Sequence, residues 1–190
     1  ATAYYHLGKH ELAQFILTNA SEIEPANAEI HNELGFVHLA MQSKPLATAA
    51  FQKAVELRPT FAEARNNLGV QFQGTGDSEG AATQFKAAVE AYPRFREAYL
   101  NLGNAHRGLR QPVESERAYR KAIEIDPEWA APYFNLGILF LDSQRENADL
   151  VRQYKDAIEN FNVYKRVRGA DLDRDDPVDK YLAEALKRIE

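Results

Sequence analysis

Apolar residues recur at helical spacing, in paired blocks, along most of the 190-residue chain. The first blocks read HNELGFVH from His31, RNNLGVQF from Arg65, YLNLGNAH from Tyr99 and YFNLGILF from Tyr133, with Leu-Gly at 34–35, 68–69, 102–103 and 136–137. A second block follows each: AAFQKAVELRP, TQFKAAVEAYP, RAYRKAIEIDP and QYKDAIENF. These align Phe51, Phe85, Tyr119 and Tyr154, each three residues before Ala54, Ala88, Ala122 and Ala157. Apolar positions at i, i+3, i+4 and i+7 in every block predict amphipathic helices. Pro25, Pro59, Pro93 and Pro127 stand 34 residues apart. Each closes a unit, because proline cannot continue a helix. A unit of two such helices cannot bury its apolar faces alone, so neighbouring units must stack.

This arrangement resembles the tetratricopeptide repeat, whose pattern is aromatic-x-x-Leu-Gly-x-x-aromatic, then Ala-x-x-x-aromatic, then Pro. Full copies cover 28–61, 62–95 and 96–129. In 1–27 only Ala13, Leu17, Ala20 and Pro25 fall in register, so residue 1 is expected to lie inside a repeat. A modified copy, 130–169, carries one extra residue before Tyr154, and its second helix is expected to run to about Val167. That end is roughly two turns past the usual one. Residues 176–190 predict a further helix, with Asp176 capping and Pro177 starting it. Val178, Tyr181, Leu182, Ala185, Leu186 and Ile189 share its apolar face, which suits a terminal cap or, alternatively, a partner-docking element. His31, Arg65, His38 and His106 stand where the family has aromatics, and Ser115 where it has alanine. The resemblance implies an all-α fold: a solenoid, or right-handed superhelix, of antiparallel helix pairs with a C-terminal capping helix.

In the family, first helices line a concave groove that partners touch. On a helical wheel at about 100° per residue, Glu63, Asn66, Asn67, Gln73 and Gly74 fall within about 60° of Val70, away from Arg65, Leu68 and Phe72. Along that stripe Asn67, Asn101 and Asn135 recur one repeat apart. They resemble the asparagine ladder of the O-linked N-acetylglucosamine transferase superhelix, which grips a peptide backbone. A side-chain amide donates and accepts, so it pairs with any backbone amide. These side chains are expected to face away from the repeat packing; the alternative is that they stabilise their own repeats. Phe36, Val70, Asn104 and Ile138 recur two residues beyond each repeated leucine, with Phe134, Leu39, Leu100 and Leu141 nearby. Exposed apolar side chains there would mark a partner site, while burial under the next repeat is the competing reading. Arg107 is the stripe's one base and lysine is absent from it, which argues against a clamp for acidic chaperone tails. The implied function is protein–protein interaction, the groove holding an extended protein or peptide segment. Two alternatives stand beside it. One is the recognition arm of a larger enzyme of glycosyltransferase type, with catalysis outside this chain. The other is an assembly scaffold of a bacterial envelope complex for pili or motility.

Composition narrows the chemistry. Cysteine is absent, which excludes disulfides and thiol catalysis. A net charge of −5 argues against nucleic acid as a partner. No run of 18 apolar residues suggests a membrane span, and cytoplasmic and periplasm-facing locations both fit. The stretch QFQGTGDSEGAATQF holds Gly74, Gly76 and Gly80, but its spacing misses the dinucleotide fingerprint and no strand precedes it. Gly76 instead matches the repeat turn at Gly8, Ser43-Lys44 and Arg110-Gln111. His6 and His10 are expected to straddle such a turn rather than share a metal. Asp171, Asp173 and Asp175 are similar to the start of an EF-hand loop, yet Asp176 and Leu182 occupy the places that need Gly and Glu. No catalytic constellation, metal or cofactor is expected, and the chain is not expected to be an enzyme.

Overall fold

The computed structural model describes residues 1–143, 149–173 and 175–189. The described residues form helices and connections, without strands. The chain divides into two compact units, Ala1–Pro93 and Arg94–Glu190. The first unit holds α1 (Thr2–His6), α2 (His10–Ile23), α3 (Ala28–Ala40), α4 (Lys44–Leu57), α5 (Ala62–Gly74) and α6 (Ser78–Ala91). Helices α3 and α4 pack as one pair, α5 and α6 as another, with α2 against α3 and α4 against α5. The second unit holds α7 (Arg96–Gly108), α8 (Pro112–Ile125), α9 (Ala130–Asp142), α10 (Leu150–Arg168), a 3-10 turn at Gly169–Asp171, and α11 (Val178–Lys187). There α7 pairs with α8 and α9 with α10, while α11 packs on both α10 and α9.

The Leu-Gly dipeptide explains how tightly each pair closes. A Cβ placed at Gly35, Gly69, Gly103 or Gly137 would lie closer than 3.0 Å to the ring of Phe51, Phe85, Tyr119 or Phe161 respectively. All four rings are fully buried. Each first helix therefore gives up a side chain so that the second helix can seat an aromatic ring on its backbone. Burying such a ring is worth about 1.5–3 kcal/mol.

The same contact corrects the alignment of the last pair. Gly137 receives Phe161, not Tyr154, which is only half-buried. The buried small residue four before each ring is then Ala47, Ala81, Ser115 and Ala157. Tyr164 consequently stands where Ala54, Ala88 and Ala122 stand in the other pairs. In α4, α6 and α8 the helix begins seven residues before its ring; in α10 it begins eleven before, at Leu150. The extra turn thus lies at the N-terminus of α10 and not as two turns at its C-terminus.

Hydrogen bonds account for most departures from the repeat pattern. His31 Nε2 donates to the Pro25 carbonyl, Arg65 Nε to that of Pro59, and Tyr133 Oη to that of Pro127. Three different donor chemistries at this position thus reach a carbonyl six residues back. Ser115, fully buried, donates from Oγ to the Gly103 carbonyl at 2.8 Å. Turns within pairs share one backbone feature at 34-residue intervals: φ is +71° at Gly8, +60° at Gln42, +83° at Gly76 and +57° at Arg110. Only glycine enters this region freely.

Candidate functional site

The expected groove residues sit in contrasting surroundings. In the first unit, Val70 on α5 is 42% exposed, although large and apolar. Glu63 is exposed and Asn67 and Gln73 are half-buried on the same helix. On α3, Phe36 is half-buried and meets Phe51 edge-on with ring centroids 5.4 Å apart, so it belongs partly to the core.

The asparagines tie first helices together. Asn67 Nδ2 donates to Oδ1 of the buried Asn32 at 2.9 Å, joining α5 to α3. In the second unit Asn135 Nδ2 donates to Asn104 Oδ1 at 3.2 Å, and the Tyr119 hydroxyl donates to the same oxygen at 2.7 Å. Asn101 is half-buried on α7. The expectation that these side chains face away from repeat packing is corrected for Asn67 and Asn135, because each bridges neighbouring first helices. Each still keeps one amide proton and its carbonyl oxygen for another partner.

On α9 the expected apolar groove is covered. Ile138 is 7% exposed and shares a cluster with Val178 and Ala185 of α11. The Phe134 ring lies 5.9 Å from Phe161, 5.1 Å from Tyr164 and 5.8 Å from Tyr181. Phe134 and Ile138 are therefore seats for the C-terminal helix, a result of the apolar face on α11. Leu186, expected on that face, is 52% exposed. Burial and a 2.6 Å hydrogen bond to the Asp176 carboxylate push the Tyr164 hydroxyl up to about 12. Asp176 also accepts from the Val178 N–H, but α11 starts at Val178 with Pro177 at its N-cap, one residue later than expected.

Arg107, the remaining candidate, is exposed at the last turn of α7. It borders a cleft of about 560 Å³ shared with Arg110 and Gln111. Sequence reasoning passed over this cleft. The available signal was arginine at a turn position that holds glycine in two of the other pairs. His6 ends α1 and His10 begins α2, with Gly8 between them. Among the described residues no group of three or more His, Asp or Glu is placed to hold a metal ion. No described helix is long and apolar enough to cross a membrane.

The paired helices, their ring-on-glycine packing and the 34-residue turn have a counterpart among known families. Residues 66–128 match the tetratricopeptide repeat. Solved structures with similar folds include PilW, a widely conserved type IV pilus biogenesis factor, at TM-score 0.78 and 20% identity over 98% of this chain and 86% of that one. MamA from Desulfovibrio magneticus RS-1 gives 0.77 and 24% identity over 90% and 93%. The first repeat domain of Spaghetti, bound to the HSP90 peptide SRMEEVD, gives 0.57 and 18% identity over 60% and 90%. No curated protein matches the chain in sequence. The fold is of the tetratricopeptide-repeat type, and no catalytic family is indicated.

Proposed function

We propose that the chain holds an extended segment of a partner protein against the outward faces of its first helices. The observation that carries this reading is Val70. It is a large apolar side chain, 42% exposed, beside half-buried amides that retain hydrogen-bonding capacity. An apolar contact flanked by amides suits an extended backbone, which offers alternating side chains and regularly spaced N–H and C=O groups. Helix-pair repeats supply a firm platform for such contacts, and the Spaghetti repeat domain, similar in fold, is bound to an HSP90 peptide. A narrower form of the proposal is an assembly scaffold in a bacterial envelope complex for pili or motility; the fold shared with PilW, a type IV pilus biogenesis factor, supports it.

The test is affinity capture with the intact chain and with Val70→Glu, followed by mass spectrometry. A partner retained by the intact chain and lost from Val70→Glu is expected. Equal capture by both proteins, with unchanged melting temperatures, would overturn the reading.

A further inference from the structure

We infer that the outward face of α5 takes a polyproline II segment of the partner, carrying a lysine or arginine and a large apolar residue three positions apart. This rests on the partner-holding reading above and names the chemistry that face selects. The first helices differ at two equivalent positions, one near the N-terminus and one seven residues on. These are Glu29 and Phe36 in α3, Glu63 and Val70 in α5, Glu97 and Asn104 in α7, and Ala131 and Ile138 in α9. Arg58 holds Glu29 at 2.6 Å, and Arg96 holds Glu97 at 2.8 Å. Phe36 lies against the Phe51 ring, Asn104 accepts from the Tyr119 hydroxyl, and Ile138 is buried. On α5 both positions are open. Glu63 is exposed, with no cation within ion-pair distance among the described residues. Tyr92 stands where Arg58 stands one repeat earlier. The helix N-terminus favours all three carboxylates alike, so the dipole does not explain why Glu63 lacks the guanidinium that the other two have.

Helical spacing decides what can touch both groups. Glu63 and Val70 are two turns apart on one face, about 10.5 Å along the axis. In a β-extended segment, residues three apart span about 10 Å but point to opposite faces. Polyproline II turns once every three residues and rises about 3.1 Å per residue, so residues i and i+3 point the same way, about 9 Å apart. Its backbone N–H and C=O groups make no internal hydrogen bonds. Between the two contacts, Asn67 keeps an amide proton and its carbonyl oxygen to meet them. A cationic side chain at Glu63 and an apolar one at Val70 then match this face in charge, polarity and spacing.

The experiment uses the full chain and fluorescent hexapeptides with both termini uncharged, whose prolines favour polyproline II. Pro-Lys-Pro-Pro-Leu-Pro and the reversed Pro-Leu-Pro-Pro-Lys-Pro carry the inferred spacing. Pro-Lys-Pro-Leu-Pro-Pro sets the pair two apart, and Pro-Gln-Pro-Pro-Leu-Pro lacks the charge. One order of the spaced peptide is expected to bind about two- to fivefold more tightly than either control, the effect of one exposed charge pair. Glu63→Gln, at an exposed position, is expected to abolish the preference for lysine over glutamine. Its melting temperature and its affinity for the glutamine peptide are expected to be unchanged. Equal affinity of the intact chain and Glu63→Gln for the spaced lysine peptides overturns the inference. So does equal binding of the peptide with the pair two apart, or no binding of either spaced order. These outcomes leave the partner-holding reading standing, because capture with Val70→Glu tests it separately. A captured partner that Val70→Glu loses and Glu63→Gln retains in full overturns this inference alone.

Discussion

Gln42 and Arg110 hold left-handed backbone conformations that Gly8 and Gly76 hold in equivalent turns. An L side chain there costs roughly 1–2 kcal/mol, partly offset because glycine makes the unfolded chain more flexible. Gln42→Gly and Arg110→Gly are each expected to raise stability by about 0.5–1 kcal/mol in urea unfolding, and Gly76→Ala to lower it by about 1 kcal/mol. The asparagines make a second comparison. Asn67→Ala removes the donor to the buried Asn32 oxygen, a loss of about 1–3 kcal/mol. Asn135→Ala leaves Asn104 with the Tyr119 hydroxyl, so the loss is expected to be under about 1 kcal/mol. Equal melting curves for the two variants would contradict this account. The 34-residue recurrence of asparagine was legible in the sequence. Its bonding was not, because Asn32 and Asn104 occupy different places in their repeats from each other and from the ladder positions.

The α9–α10 pair shows where pattern reading goes astray. Tyr154 and Phe161 are seven residues apart, close to two helical turns, and so share a face. Periodicity cannot choose between them; only the seat on Gly137 does. Phe161→Ala is expected to cost about 3–5 kcal/mol through a cavity, and Tyr154→Ala clearly less. Gly137→Ala should cost about 1–3 kcal/mol by pushing on the Phe161 ring. Gly74→Ala, with nothing within 4 Å of the added carbon, should cost nothing measurable. The Tyr164–Asp176 bond gives α10 and α11 a pH signature. The Tyr164 hydroxyl is raised from 10.0 to about 12 in the folded chain. The folded state therefore holds its proton more firmly than the unfolded state does. Stability from this group is complete below the unfolded value and falls as pH climbs through the folded one. Tyr164→Phe is expected to flatten the alkaline limb of a plot of melting temperature against pH, and an unchanged limb would show that other groups cause it.

The all-helical architecture was legible because three kinds of sign agreed: the Leu-Gly recurrence, the aromatic-to-alanine spacing and the prolines. The apolar face of the C-terminal helix was legible too, but its effect on the groove was not. Helical wheels assign Phe134 and Ile138 to an outward stripe without knowing that α11 lies on it. Removing residues 177–190 is expected to lower the melting temperature. It should also expose Phe134, Ile138 and Tyr164, giving binding of a hydrophobic dye and self-association in ultracentrifugation. A monomer with an unchanged melting temperature would mean that α11 adds no stability.

The ring of Phe161 reaches Gly137 across 24 residues of chain, whereas Tyr119 reaches Gly103 across 16. The packed product is the same. Closing the longer loop costs only about 0.4 kcal/mol more in chain entropy. Ring and glycine therefore act as a clasp indifferent to the length of thread between them. Between α9 and α10 the molecule has a place where peptide can be spliced in: an affinity tag, a fluorophore site or a second recognition sequence. An insert of eight further residues there should leave the melting temperature within a few degrees of the parent's, whereas the same insert within α9 should abolish the pair.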